Sequence, residues 1–173
     1  RAAGSSGPAM GFVRLSEGRT SVIVDAGMPP TGPASVNAHA STLALEMTSG
    51  RRPVIVNCGS GANFGESWHQ AGRATPSHST LGIEGFSSSE LGPGKLWSGR
   101  VVEMLVKTPE NVRVHTGEGD TGPGLILSHD GYLATHGLTH VRKVELSADG
   151  RALMGSDELA PRGETAERRF NQA

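Results

Sequence analysis

Short segments in which apolar and polar residues alternate recur along this chain. All have the length of a β-strand, and several are rich in β-branched residues. The segments occupy residues 11–16, 20–26, 41–49, 53–57, 78–84, 100–108, 111–116, 124–129 and 140–147. Turn residues separate several of them, so the pattern predicts an all-β chain with little helix, folded as an antiparallel β-sandwich or an extended stack of sheets.

The connections between these segments have distinct sequence signals. The dipeptides Ser49-Gly50 and Asp149-Gly150 are expected to close β-hairpins, because glycine tolerates the positive φ of tight turns. Residues 27–35 are rich in proline, which cannot donate to a sheet ladder, so they predict a loop. Residues 158–173 are polar without a strand pattern and predict a short helix or a frayed end. We interpret residues 1–173 as a single domain with a polar tail at 160–173.

Composition and charge limit the classes of partner that we expect this chain to bind. The chain has 25 glycines, 10 prolines and 4% aromatic residues, which is typical of a loop-rich β protein. A formal net charge of -1 argues against nucleic-acid binding and against attraction to an acidic membrane surface. No apolar run approaches the roughly 20 residues of a membrane-spanning helix. The single cysteine, Cys58, forms no internal disulfide, and the start at Arg1 without an apolar leader indicates a piece of a longer protein.

Three polar residues stand at the ends of predicted strands. His39 precedes the strand at 41–49, Asn57 closes the strand at 53–57, and His78 opens the segment at 78–84. Neighbouring strands lie about 5 Å apart, so these side chains would converge if their strands are adjacent. Two imidazoles and one oxygen donor form an acceptable zinc set and would also suit an anionic substrate group. The alternative is two histidines hydrogen-bonded at a sheet rim.

The order of motifs adds a family resemblance. The segments "NAHASTLALEMTSGRRPVIVNCGSG", "WHQAGRATPSHSTLGIEG" and "LTHVRKVELSADGRALMGSDEL" follow one another along the chain. This order resembles the β-rich domain of the heparinase II/III-like polysaccharide lyases over about residues 11–159. His39 matches the family's first histidine, Asn57 stands at the position of the aspartate in V-D-P-G, and residues 73–80 match R-x-T-x-x-H-x-T.

The resemblance implies roles for several residues. In these lyases the matching His, Asp and His hold a structural zinc ion, so His39, Asn57 and His78 would be its ligands. Asn57 departs from the family pattern, because a neutral amide is a poorer zinc ligand than a carboxylate, and a metal-free hydrogen-bonded cluster is the alternative. Asn37 matches a position that faces substrate. Arg73 would pair with an acidic sugar, or else with a carboxylate at the sheet edge.

The activity implied by the resemblance is β-elimination across a uronic acid glycoside. The C5 proton becomes abstractable when the neighbouring carboxylate is neutralised, and a Tyr or His takes it. In the family the base lies on an N-terminal helical toroid, so that toroid is an expected partner. The expected substrate is an acidic polysaccharide or oligosaccharide. A second copy of the chain could also bind through an exposed apolar face. By the same analogy the location is the periplasm or cell envelope. The alternatives are a non-catalytic carbohydrate-binding or scaffolding sandwich, or an inactive family member.

Other residues with catalytic potential are assigned to the framework. Tyr132, the only tyrosine, is expected to be packed with its hydroxyl hydrogen-bonded. His136 and His140 have even spacing and are expected on one face of a strand, near Arg142, as framework residues. His129 has no partner that the sequence identifies.

Overall fold

The computed structural model describes residues 6–163 and residue 167. Within residues 6–163 the chain forms eleven β-strands and two short α-helices. The strands are β1 (Ser6–Ala9), β2 (Phe12–Glu17), β3 (Thr20–Asp25), β4 (Leu45–Ser49), β5 (Arg52–Ile55), β6 (Glu90–Lys95), β7 (Val101–Lys107), β8 (Val112–Glu118), β9 (Pro123–His129), β10 (Leu138–Leu146) and β11 (Leu153–Pro161). The helices are α1 (Glu66–Arg73) and α2 (Leu133–His136).

Two antiparallel sheets pack face to face and enclose the core. The first has the order β1-β2-β3-β4-β5 and the second the order β11-β10-β9-β8. Alternate residues point inward from both sheets and are almost fully buried: Val13, Leu15, Val22, Val24, Leu125, Leu127, Val144 and Leu146. Their neighbours Phe12 and Ile23 lie on the outer face of the first sheet and are about half exposed. The predicted all-β sandwich is therefore confirmed.

A third, two-stranded sheet lies beside the sandwich. It is the hairpin of β6 and β7, which sits against a 3-10 turn at Gly32–Ser35. The Leu105 N–H of β7 donates to the Ser35 hydroxyl at 2.9 Å, and Glu103 accepts a hydrogen bond from Gln70 of α1 at 2.6 Å. The hairpin thus fixes the loop that precedes His39. In the described part of the chain, no helix is long and apolar enough to cross a membrane.

Eight of the nine predicted strands are present, and both predicted hairpin turns are confirmed. Gly50 and Gly150 have φ of 62° and 69°, which a residue with a Cβ rarely adopts. The pattern did not identify β1, β6, β11, α1 or α2. It was wrong about residues 158–161, which belong to the edge strand β11, paired with β10 throughout. The rest of the predicted tail lies largely outside the described residues.

The segment 78–84 was wrongly predicted to be a strand. Its backbone groups are satisfied by bonds from several directions instead of a partner strand. The Ser79 N–H donates to the Asn57 side-chain oxygen at 2.8 Å, and the Ser79 carbonyl accepts from Arg142 at 2.7 Å. The Thr80 hydroxyl donates to the Thr42 carbonyl at 3.1 Å. Polar side chains therefore hold this segment between the two sheets as an irregular loop.

Candidate functional site

A pocket of about 380 Å³ lies on the outer face of the first sheet, where polar side chains from separate segments meet. Its floor comes from alternate residues of β2, β3 and β4, and its walls from the loops that precede β4 and follow β5. The lining residues are Phe12, Ile23, Asp25, His39, Ser41, Ala44, Glu46, Asn57, Gly59 and His78. The structure therefore brings His39, Asn57 and His78 to one pocket, although 78–84 is not a strand.

The two imidazoles of the pocket form a directed hydrogen-bond chain. His39 Nδ1 lies 3.0 Å from His78 Nε2, and His78 Nδ1 lies 2.9 Å from the Ala74 carbonyl oxygen. A carbonyl oxygen only accepts, so the proton of His78 is on Nδ1 and its Nε2 accepts from His39 Nδ1–H. In the neutral ring, His39 Nε2 then keeps its lone pair, and no group among the described residues donates to it.

The surroundings keep both imidazoles uncharged near neutral pH. Burial, aided by the nearby charge of His78, lowers the pKa of His39 to about 4. Burial also lowers the pKa of His78, against the opposing effect of its bond to Ala74. A neutral pair agrees with the tautomers that the hydrogen bonds require, since a protonated His78 could not accept from His39.

Carboxylates occupy the other side of the pocket. Asp25 accepts the Ser41 hydroxyl at 2.6 Å, and burial raises the pKa of this carboxyl group despite that bond. Glu46 is exposed and accepts the Asn57 side-chain amide at 3.2 Å. None of the lining residues, all of which belong to the described part of the chain, is a lysine or arginine.

A buried network lies behind the pocket and holds its back wall. The sequence pattern placed His140 near Arg142 but indicated no partner for His129. The Gly131 N–H donates to His129 Nδ1 at 3.0 Å, so His129 donates through Nε2 to His140 Nδ1 at 3.1 Å. His140 Nε2 in turn donates to Asp157 at 2.7 Å. Cross-strand pairing explains the contact, because His129 and His140 stand directly opposite each other in β9 and β10.

Arg142 joins this network to the pocket. Its guanidinium binds both carboxylate oxygens of Asp157, at 2.7 and 2.9 Å. It also donates to the carbonyls of Leu43 and Ser79, both at 2.7 Å. Ser79 follows His78 directly, so the position of the His78 loop depends on this ion pair, in which Arg142 is buried and Asp157 is partly exposed.

The comparison with protein families bears directly on this site. The family model described as Heparinase II/III-like, C-terminal, matches residues 1–172. The chain belongs to this family. The description as a C-terminal domain implies a larger parent protein with other domains.

A curated relative gives a second comparison. FtsZ-localized protein C of Caulobacter vibrioides (strain NA1000 / CB15N) is 31% identical over 164 residues, which are 91% of this chain. Those residues are only 27% of that protein, so the chain spans about a quarter of the relative's length. No solved structure matches the chain.

The zinc ion implied by the family resemblance can be tested against the donors of the pocket. The two imidazoles suit a metal, since their facing nitrogens are 3.0 Å apart and His78 is oriented by a carbonyl on its other nitrogen. The third donor does not suit it. The Asn57 oxygen is neutral and accepts the Ser79 N–H, and residues 6–163 contain no group of three His, Cys, Asp or Glu arranged to hold a metal. The donor set is therefore incomplete.

The two predicted substrate contacts lie outside the pocket lining. The Arg73 side chain is 1% exposed and donates to the carbonyls of Ser35 and Ala38 at 3.0 and 2.8 Å. It also pairs with Glu103 at 3.3 Å, the sheet-edge carboxylate of the alternative interpretation. Asn37 is exposed in the turn before His39. Contact of either residue with a substrate stays a prediction.

Of the three residues Tyr132, His136 and His140, which were predicted to be structural, one lies where the sequence did not predict it. Tyr132 is fully buried, and its hydroxyl donates to the Leu81 carbonyl at 3.0 Å, as predicted. His140 is also buried in the framework. His136 does not share its strand, because α2 ends at His136 and Gly137 then takes φ of 70° before β10 begins. Even spacing was therefore misleading across this glycine.

A larger hollow, of about 600 Å³, lies on the outer face of the second sheet. Glu145, one of the three acidic residues in its lining, accepts hydrogen bonds from the Thr121 hydroxyl at 2.6 Å and from the Thr121 N–H. These bonds close the β8–β9 loop. We place the candidate site at the smaller pocket, because several polar groups converge there around an imidazole with a free nitrogen.

Proposed function

We propose that this chain is the β-sandwich domain of a polysaccharide lyase that cleaves uronic acid-containing glycans by β-elimination. In this proposal the pocket of His39, Asn57 and His78 forms one wall of the glycan-binding cleft. The observation that carries it is the His39 imidazole, which lines a polar pocket and is positioned by a hydrogen bond to His78, in a chain of this family.

The division of the chemistry between domains follows from the residues available. Elimination needs a base near the C5 proton and a group that neutralises the carboxylate. The sole tyrosine is buried and already donates to Leu81, and the low pKa of His39 makes it a weak base. The base would therefore come from another part of the parent, such as the expected helical toroid. This domain would bind and orient the sugar chain.

Several expectations from the resemblance remain part of the proposal. Zinc at His39 and His78 would supply positive charge to the wall, but two donors suit it and Asn57 does not. The periplasmic or cell-envelope location and the pairing of two copies also remain proposals, as do glycan contacts by Asn37 and Arg73.

A second candidate is a non-catalytic carbohydrate-binding or scaffolding domain. Asn57 in the place of the family's aspartate supports it, as does a pocket whose only charged lining residues are Asp25 and Glu46. The name of the relative, FtsZ-localized protein C, also supports it. On this candidate the domain would bind its partner without cleaving it.

The test uses the full-length parent protein. Purified protein is incubated with uronate polymers, and the ultraviolet absorbance of the unsaturated product reports elimination. We expect His39→Gln to raise KM about tenfold with a smaller change in kcat, because a wall residue contributes binding. His115→Gln is the matched control, since His115 is exposed on the second sheet outside this pocket. If no uronate polymer yields an unsaturated product, the lyase proposal fails and the non-catalytic candidate replaces it.

A further inference from the structure

We propose that this pocket binds a hydrogen-bond donor of the glycan, a hydroxyl group or a protonated amine, and excludes the uronate carboxylate. The inference rests on the proposed function, which makes the pocket a glycan site. It adds the chemical class of the group bound there. The uronate would then lie at a neighbouring position, and this wall would hold the adjoining sugar.

The two imidazoles have no N–H to offer a ligand. The Nδ1–H of His39 is used by His78, and the Nδ1–H of His78 is used by the Ala74 carbonyl. An imidazole with its one proton on Nδ1 presents only an acceptor at Nε2. The side of the pocket formed by His39 can therefore accept a hydrogen bond and cannot donate one.

The remaining side-chain donors of the pocket are also nearly all used. The Ser41 hydroxyl donates to Asp25, and one hydrogen of the Asn57 side-chain amide goes to Glu46. The other hydrogen of that amide is the single side-chain donor left among the described residues that line the pocket. A carboxylate, which needs two or more donors to replace its water shell, would find a single side-chain donor here.

Acceptors remain in excess. Besides His39 Nε2, the second oxygen of Glu46 has no partner among the described residues, and Asp25 and Ser41 keep lone pairs. These atoms come from three different segments around one opening. A sugar hydroxyl or ammonium group could donate to more than one of them at once.

The charge of the pocket points in the same direction. Asp25 and Glu46 bring negative charge, and both histidines lack a balancing charge when neutral. The Arg73 guanidinium is not among the residues that line this pocket, and Glu103 and two carbonyls hold it in its buried position. An anionic group placed here would be repelled, whereas a cationic amine would be attracted.

The apolar lining completes a surface suited to a sugar. Phe12 and Ile23 are 49% and 44% exposed beside the polar rim. A pyranose has a C–H face and a rim of hydroxyl groups, so it can cover the apolar floor while donating to the acceptors. At about 380 Å³ the pocket lies within the usual range for small-ligand sites, roughly 300–1,000 Å³.

The test compares three probes on the full-length protein by titration calorimetry and by the imidazole NMR signals of His39. They are a glucosamine disaccharide with free amines, its N-acetylated form, and a galacturonate disaccharide. We expect the amine form to bind about tenfold more tightly than the galacturonate form, with the acetylated form between them. Preference for the amine over the acetylated form would identify an ammonium as the donor, and equal binding of the two would identify hydroxyl groups.

Substitutions then locate the effect. Glu46→Gln should reduce the preference over galacturonate several-fold, whereas Glu158→Gln, an exposed carboxylate on β11 outside the pocket, should leave it unchanged. Equal or tighter binding of galacturonate would overturn the inference. So would a preference that disappears with a chelator, because a bound cation would then be responsible.

The same data separate this inference from the proposed function. If no disaccharide shifts the His39 signals, the pocket is not a glycan site, and this inference fails together with the role of the pocket as a wall of the cleft. The elimination assay then decides the lyase activity separately. If galacturonate binds most tightly and perturbs His39, the glycan wall is retained and only the donor preference is wrong.

Discussion

Two pairs of histidines meet edge-on in this domain with nearly the same geometry. His39 and His78 have ring centroids 5.1 Å apart at 79°, and His129 and His140 have centroids 5.0 Å apart at 87°. The hydrogen bonds within the pairs are 3.0 and 3.1 Å. The pairs differ in what lies at their ends. The first has a carbonyl at one end and, at the other, an imidazole that lines a pocket, whereas the second runs from a backbone N–H to a carboxylate.

This difference separates the proposed binding element from a structural one. The His129 pair is almost completely buried, and every ring nitrogen has a protein partner. The His39 pair is half-buried and has one nitrogen without a partner among the described residues. Two pairs with similar ring geometry therefore differ in role, and the difference depends on the hydrogen-bond partners beyond each pair.

The largest expected effect is on the buried pair. Asp157→Ala removes the carboxylate that binds both Arg142 and His140, and leaves a buried guanidinium without its counter-charge. We expect the free energy of unfolding to fall by about 3 kcal/mol, measured by urea denaturation. Glu158→Ala, one residue along the same strand, should change it by less than about 0.5 kcal/mol. Equal losses in the two variants would contradict a stabilising role for the network.

Acidification should act through the same pair. Burial, with the charge of His140, lowers the pKa of His129 to about 3, against about 6.5 in an unfolded chain. Between these values the unfolded chain binds a proton that the folded chain does not, so stability falls as the pH falls from 6.5 toward 3.

Urea titrations at successive pH values test this dependence. His129→Gln should flatten the slope in that window by up to about 1.4 kcal/mol per pH unit. The pKa of Asp157 is lowered, with its bonds to Arg142 and His140 outweighing burial, so its contribution is present above its unfolded pKa and is lost only at lower pH. An unchanged slope in His129→Gln would show that other groups carry the acid sensitivity.

The pocket pair should contribute little to stability. His39→Gln removes one half-buried hydrogen bond and leaves His78 attached to Ala74, so we expect a loss of no more than about 1 kcal/mol. Thermal unfolding of His39→Gln beside the exposed control His115→Gln measures it. A loss comparable to that of Asp157→Ala would show that both pairs are structural and would weaken the binding role of the pocket.

The sequence predicted the sandwich because its core strands alternate cleanly, as in Val13, Leu15, Val22 and Val24. It missed β6, whose "ELGPGK" contains two glycines and a proline, and β11, whose edge position needs no apolar alternation. Strand β6 forms because β7 pairs with it and the loop at Ser35 supports the hairpin. Such tertiary support leaves no local pattern.

The sequence predicted which residues form the site better than it predicted the hydrogen bonds between them. Strand-end positions and the family motifs identified His39, Asn57 and His78, which share the pocket. Nothing local indicated that Asn57 would use its oxygen to hold Ser79, or that Arg142 would reach across from β10 to the same residue. These bonds join residues 22 and 63 positions apart, so they depend on how the sheets are stacked.

The finest test of the comparison is the position of single protons. The bond to Ala74 requires His39 and His78 to carry theirs on Nδ1, whereas the bonds from Gly131 and to Asp157 require His129 and His140 to carry theirs on Nε2. Long-range proton–nitrogen NMR of the imidazoles near pH 7 distinguishes the two tautomers. We expect opposite tautomers in the two pairs, with a ligand shifting only the His39 signals. A proton on His39 Nε2 would turn the free acceptor of the pocket into a donor, and the donor-seeking character inferred for the pocket would be lost with it.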